Sequence, residues 1–175
     1  IILLSTTLTD LDTIENKTLE IEKIRNDFFR KDSNLFISTR VVEKELVESL
    51  YKIKSRDAKN INKYQPVIFG NSRGSDFNLF DNNIASINKL KEDIIDILKQ
   101  NIKSNILIKD SFVTIFKSGG GVRTHDHITK YDRLIKSGRR KFSLVYYLSI
   151  GDQDCEEPGI LKLYNPNKDI LPTNG

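Results

Sequence analysis

The sequence predicts an α+β fold, in which helices cover one face of an antiparallel sheet or jelly-roll barrel. Two observations support this class. Before residue 105 apolar residues recur at helical spacing, and after it the segments are short, β-branched and aromatic. Glycine and proline residues punctuate the later segments, as at 119–121 and 158–159. Helices followed by strands are typical of α+β domains, and short strands suit a jelly roll.

Three helices are predicted in the first half of the chain. They span residues 12–29, 40–54 and 84–102, and Ser38 or Thr39 is expected to cap the second. Residues 60–81 are predicted to form an irregular connection with a short strand at 67–69. The residues expected to face inward are Ile14, Ile21, Ile24 and Phe28 in the first helix, Val42, Leu46, Leu50 and Ile53 in the second, and Ile84, Ile87, Leu90, Ile94, Ile97 and Leu98 in the third.

Strands are predicted at 106–117, 142–150 and 159–164, where the apolar pattern changes from helical to strand-like. The expected organisation is a helical lead-in at 1–33, followed by one domain at 34–175. That domain combines helices at 38–103 with barrel strands at 106–175. Residues 5–7 and 165–175 are interpreted as a surface segment and a loop, respectively.

Composition excludes several classes of protein. The 175 residues carry 28 Lys+Arg and 24 Asp+Glu, well mixed, so the net charge of +4 makes nucleic-acid binding unlikely. No apolar run approaches the roughly 18 residues of a membrane span. The single cysteine, Cys155, excludes an internal disulfide and indicates a reducing, cytoplasmic location. The lack of methionine predicts that the start of the protein is missing.

The residues with evident site chemistry are the two histidines, which lie in the stretch GVRTHDH at 121–127. In an extended strand residues i and i+2 project to the same face, so His125 and His127 are expected to converge on one metal ion. Asp126 would then point to the opposite face. Neutral imidazole binds iron, zinc, nickel and copper. The alternative is that two histidines lie close together without any such role.

The segments around this motif occur in a recognisable order. A β-rich stretch at 111–117 leads through glycines to His-x-His, then to LVYYLS at 144–149 and PGILKLY at 158–164. This order resembles the prolyl-hydroxylase-like branch of the 2-oxoglutarate and Fe(II)-dependent oxygenases. The likeness covers residues 106–175 and is closest to bacterial or phage oxygenases that carry His-x-His in place of His-x-Asp.

The resemblance implies an incomplete double-stranded β-helix (jelly-roll, cupin-like barrel) that uses Fe(II), 2-oxoglutarate and O2. His125 matches the first metal ligand, His127 stands where the usual carboxylate is, and the hydroxyl of Tyr147 matches the position that binds a 2-oxoglutarate carboxylate. Asp126 would be a ligand only if the strand twisted. The distal histidine and the basic residue that binds 2-oxoglutarate are expected beyond Gly175, so the chain alone is expected to bind iron poorly and to be inactive.

Two alternatives stay open. One is a cupin-like barrel that binds a metal or small ligand without turnover, which the missing carboxylate favours. The other is a helical protein-interaction module, which the amphipathic helices of residues 12–103 favour. The expected partners of the oxygenase are 2-oxoglutarate, O2 and an unknown small-molecule or peptide substrate, with no membrane.

Overall fold

A five-stranded antiparallel sheet organises the fold. A computed structural model describes residues 2–10, 35–61, 67–102, 105–128, 130–134, 141–151, 159–164 and 167–172. Its strands are β1 (Ile2–Asp10), β2 (Ser55–Asp57), β3 (Ile68–Phe69), β4 (Ser72–Ser75), β5 (Ile106–Phe116), β6 (Gly121–Val122), β7 (Lys141–Ser149), β8 (Leu161–Tyr164) and β9 (Asn167–Ile170). The large sheet has the order β2-β4-β5-β1-β7, and β3-β6 and β8-β9 form two-stranded sheets.

Helices lie between these strands along the chain. They are α1 (Lys44–Lys52), α2 (Ala58–Ile61), α3 (Ala85–Asn101) and α4 (Lys130–Leu134), with a 3-10 turn at Leu79–Asp81. The mixed α+β class is therefore confirmed. Across the described ranges the strands form separate antiparallel sheets and no closed barrel, so the jelly roll stays a prediction. Nor does any helix in these ranges have the length and apolarity needed to cross a membrane.

The predicted helices at 40–54 and 84–102 and the strands at 106–117, 142–150 and 159–164 are confirmed, with shifted ends. The predicted cap is wrong, because α1 begins after Glu43 and its N-terminus has no side-chain cap bond.

Three strands depart from the sequence predictions. Ile2–Asp10 is the strand between β5 and β7, where a helical lead-in and a surface segment at 5–7 were expected. Its run of isoleucine, leucine and threonine favours a strand. β4 lies within the expected irregular connection, and β9 pairs with β8 inside the expected loop. The helix predicted at 12–29 lies outside the described residues.

One face of the sheet is packed against α1 and α3. The shared core contains Leu46 and Leu50 of α1, Ile87, Leu90, Ile94 and Leu98 of α3, Val113 and Ile115 of β5, and Leu148 of β7. On β7, Phe142, Leu144 and Tyr146 pack against the same core, so even-numbered residues face the helices and odd-numbered residues face the other way. Tyr147 therefore lies on the face opposite the helices.

A charged cluster joins the two helices and β7. Arg40, whose side chain is only 10% exposed, donates to Glu43 at 2.8 and 3.0 Å and to Asp93 of α3 at 2.7 Å. Lys89 of α3 also bonds to Glu43. The hydroxyl of Tyr146 donates to the backbone carbonyl oxygen of Arg40 at 3.3 Å. The cluster therefore ties the chain before α1 to both α3 and the sheet.

We expect the stability of the protein to fall in acid partly through Glu43. The hydrogen bond from Lys89, opposed by partial burial and reinforced by Arg40, lowers the pKa of Glu43 from 4.5 to about 2. A depressed carboxyl pKa stabilises the fold above its unfolded value, and this stabilisation is lost as the pH falls from about 4.5 towards 2. Denaturant unfolding of Glu43→Gln should show a shallower loss of stability across this pH window than wild type.

Glu48→Gln is the matched control for this titration. Glu48 lies on α1, which begins directly after Glu43, and its pair with Lys44 spans 3.7 Å between exposed side chains. Exposed pairs of this kind contribute little. If Glu43→Gln kept the full wild-type pH slope, the ion cluster would not be a source of acid sensitivity.

Candidate metal and carboxylate site

The two histidines lie in an irregular loop rather than in a strand. β6 ends at Val122, and residues 123–128 continue without strand structure. The prediction that His125 and His127 lie in an extended strand is therefore wrong. The pairing of β6 with β3 involves only two residues of each strand and ends before the histidines. The imidazole rings nevertheless lie close together, edge to face, with centroids 4.9 Å apart and planes at 71°. His125 is exposed and His127 is half-buried.

A backbone contact selects the nitrogen that His125 can offer to a metal. Its Nδ1 lies 2.8 Å from the carbonyl oxygen of Arg123, which can only accept a hydrogen bond. Nδ1 must therefore carry the proton in the neutral ring, and Nε2 holds the lone pair. Such a second contact fixes both the tautomer and the ring orientation of a metal-binding histidine.

The carboxylate of Asp126 is engaged by other groups. The backbone N–H of Ile128 donates to its Oδ1 at 3.1 Å, and Arg133 of α4 donates to its Oδ2 at 2.6 Å. The Ile128 N–H, followed by Arg133, lowers the pKa of Asp126 below its ordinary value. Among the described residues, no group of three His, Cys, Asp or Glu side chains is arranged to hold a metal ion. His125 and His127 thus stay a predicted pair of ligands.

A glycine-rich contact holds the histidine loop in place. The amide of Arg123 donates to the carbonyl oxygen of Val67 at 2.7 Å, and the amide of Lys117 donates to that of Asn71 at 2.9 Å. Gly70 has φ of +63°, and a Cβ added there would lie 2.0 Å from the carbonyl oxygen of Gly119. A Cβ at Gly121 would meet the Phe69 ring at 2.7 Å. Glycine therefore permits two backbone segments to approach closely.

Tyr147 forms the second part of the candidate site. Its hydroxyl donates to the carbonyl oxygen of Gly159 at 2.9 Å. Burial raises the pKa of Tyr147 to about 12, so the phenol keeps its proton at neutral pH. A neutral phenol can donate a hydrogen bond to a carboxylate.

The segment 159–164 connects both parts of the site. Gly159 accepts the bond from Tyr147, and the Tyr164 hydroxyl lies 3.4 Å from Thr124 Oγ1, next to His125. Sequence analysis did not identify Thr124, Tyr164 or Arg133, because their contacts join segments that have no shared pattern in the sequence. The structure thus links the histidine loop and Tyr147 through the segment 159–164.

Comparison of the chain with protein-family models, with curated proteins and with solved structures finds no match.

Proposed function

We propose that the chain carries part of the catalytic domain of an Fe(II)- and 2-oxoglutarate-dependent dioxygenase, with the five-stranded sheet as one wall of a jelly-roll barrel. The observation that carries this proposal is the approach of the His125 and His127 rings to 4.9 Å in a loop fixed by backbone contacts. The reaction would convert a C–H bond, O2 and 2-oxoglutarate into a C–OH group, succinate and CO2. The substrate would be a small molecule or peptide, and the location the cytoplasm.

The donor set fits Fe(II) in part. Two neutral imidazoles are suitable ligands for this metal, and the hydrogen bond of His125 to Arg123 orients one of them. Bound Fe(II) would supply the oxygen chemistry of hydroxylation. The carboxylate nearest in sequence, Asp126, is bonded to Arg133 and Ile128, so its role in the proposal is to shape the loop.

Tyr147 has the properties required to bind the co-substrate. Its phenol is half-buried and protonated, and it lies on the sheet face away from the helices. In the free protein its proton is donated to Gly159. A carboxylate is a stronger acceptor than a carbonyl oxygen, so 2-oxoglutarate could take over this hydrogen bond.

The second candidate function is metal binding without catalysis. It is favoured because, among the described residues, no third His, Cys, Asp or Glu side chain completes a metal site with the two imidazoles. The interaction-module alternative gains no support from α1 and α3, because their buried apolar residues pack against the sheet. The helix predicted at 12–29, on which it also depends, lies outside the described residues.

Paramagnetic NMR can test the metal site in this chain. The protein contains only 2 histidines, so few imidazole resonances need to be assigned. Anaerobic Fe(II), or Mn(II) as a redox-inert substitute, should broaden the resonances of both rings. His125→Ala and His127→Ala should each weaken binding at least tenfold, because loss of a ligand reduces affinity more than loss of a supporting contact does. His127→Asp should retain binding, since it restores a carboxylate.

Asp126→Asn is the control, because it removes the charge but keeps an oxygen that can accept from Ile128. We expect its metal affinity to stay within about twofold of wild type, since small surface changes alter little. Where the expected distal histidine and basic residue are present, anaerobic 2-oxoglutarate should tighten metal binding and produce a charge-transfer band, while succinate, which lacks the chelating keto group, should not. Metal binding by that protein without a response to 2-oxoglutarate would favour the non-catalytic candidate. Loss of binding in Asp126→Asn but not in His127→Ala would identify Asp126 as the ligand.

A further inference from the structure

A small cavity lies on the helix-facing side of the sheet, between β5, α3 and the 3-10 turn. It has a volume of about 80 Å³, several times the space that one water molecule needs. Part of its lining is apolar and comes from Phe80 and Ile108. The lining also includes polar side chains of all three elements, namely Asp81 of the turn, Lys91 of α3, and Lys109 and Ser111 of β5.

A β-bulge in β5 accounts for the position of Lys109. Neighbouring residues 7 and 8 of β1 pair with residues 110 and 108, so Lys109 has no residue opposite it on β1. Ile108 and Val113 both face the helices, although strict alternation would place them on opposite faces. A bulge inserts one extra residue into a strand and often redirects a side chain beside a functional site. Here it brings a lysine to the cavity that Ser111 also lines.

Lys91 reaches the same cavity from α3. It lies one helical turn after the buried Ile87 and is itself half-buried. Among the described residues, neither Lys91 nor Lys109 forms an ion pair, with Asp81 or with any other carboxylate. Two ammonium groups that share a cavity repel each other, and partial burial of an unpaired charge is unfavourable. An anion bound between the lysines would relieve both effects.

Ser111 supplies a third donor to the cavity. The residue is 3% exposed, and its hydroxyl oxygen accepts the amide of Phe80 at 3.0 Å. A hydroxyl can accept and donate at the same time, and within the described part of the chain no acceptor is found for its proton. Two ammonium groups and a hydroxyl are suitable donors for an oxyanion. The cavity is too small for a nucleotide, since pockets for larger ligands begin at roughly 300 Å³.

Asp81 restricts which oxyanion can bind. A carboxylate repels a fully ionised anion but can accept a hydrogen bond from an anion that holds a proton. Inorganic phosphate keeps at least one proton at neutral pH, whereas sulfate has none. A phosphate monoester loses its last proton with a pKa of about 6, so it is mostly ionised at neutral pH. Asp81 therefore favours inorganic phosphate over both.

We propose that this cavity is a binding site for inorganic phosphate. Lys91, Lys109 and Ser111 donate to the ionised oxygens of the ligand. Asp81 accepts the hydrogen bond of its P–OH group and thereby rejects sulfate. The cavity lies on the helix-facing side of the sheet, whereas Tyr147 lies on the opposite face, so the phosphate site does not depend on the proposed function.

Calorimetric titration of the chain at neutral pH and constant ionic strength tests the site. Wild type should bind inorganic phosphate at least tenfold more tightly than sulfate or glycerol phosphate. Lys91→Gln and Lys109→Gln should each weaken phosphate binding about tenfold, the effect of one lost hydrogen bond to a charged group. Asp81→Asn should bind sulfate nearly as well as phosphate, because the amide removes the repulsion and can donate to an ionised oxygen.

Lys99→Gln is the matched control on α3. Lys99 is 67% exposed and pairs with Asp96 at 3.7 Å. This variant has the same change in net charge as Lys91→Gln but should keep the wild-type affinity for phosphate. The melting temperatures of the Lys91 and Lys109 variants without phosphate should stay near that of wild type, because neither lysine has an ion pair to lose within the described residues. Phosphate should raise the melting temperature of wild type more than that of these variants.

Three outcomes would overturn the proposal. One is wild type that binds no phosphate at millimolar concentration, and another is wild type that binds sulfate as tightly as phosphate. The third is equal weakening in Lys99→Gln and Lys91→Gln, which would show attraction to the net positive charge alone. His125→Ala should leave phosphate binding unchanged, so failure of the phosphate site and failure of the proposed function are separate results.

Discussion

Gly70→Ala is expected to destabilise the protein by about 3 kcal/mol, because it combines backbone strain with a steric clash. The residue has φ of +63°, in the left-handed region that disfavours side chains. Its new Cβ would lie 2.0 Å from the Gly119 carbonyl oxygen, a backbone atom that cannot rotate away. Denaturant unfolding followed by circular dichroism measures the loss.

Gly151→Ala is the matched control for this substitution. Gly151 has the same φ of +63°, but no atom of the described residues lies within 4 Å of its Cβ position. We expect a loss of about 1 kcal/mol there, from the left-handed conformation alone. The difference between the variants measures the contact between the two glycine segments. Equal losses of stability in the two variants would contradict a close contact between Gly70 and Gly119. The histidine loop would then lack the support proposed for it.

The sequence predicts the elements whose burial pattern is local. α3 has a long apolar stripe at helical spacing, and β5 and β7 are rich in β-branched and aromatic residues, so each was found from its own residues. β4, with the sequence SRGS, has no strand pattern and is defined by its pairing with β5. β1 pairs with residues 96 to 147 positions further along the chain, and no periodicity in the sequence indicates such a pairing.

The candidate site was predictable in composition but not in geometry. The sequence places His125 and His127 together, yet the edge-to-face contact of their rings arises in a loop, where the alternation of side chains along a strand does not apply. The Asp126–Arg133 pair depends on how α4 follows the loop.

Arg40→Ala is expected to destabilise the protein by about 2 kcal/mol. The guanidinium is 10% exposed and bridges Glu43 and Asp93, so its loss removes two hydrogen bonds to Glu43 and one to Asp93 and leaves Lys89 to face both carboxylates. The loss should be smaller than for a fully buried pair, because these carboxylate side chains are 35% and 36% exposed and can be rehydrated. Arg40→Lys should recover only part of the stability, since an ammonium cannot form the two parallel bonds to Glu43.

Arg56→Ala is the matched control for the Arg40 substitution. The Arg56–Asp76 pair spans 3.6 Å, and both side chains are more than 60% exposed, at 61% and 63%. Surface pairs of this kind contribute at most about 1 kcal/mol, and usually less. Denaturant unfolding should therefore rank the variants with Arg40→Ala well below Arg56→Ala. Equal stabilities would mean that the cluster does not hold α1 and α3 against β7, and that the strand carrying Tyr147 is positioned by apolar packing alone.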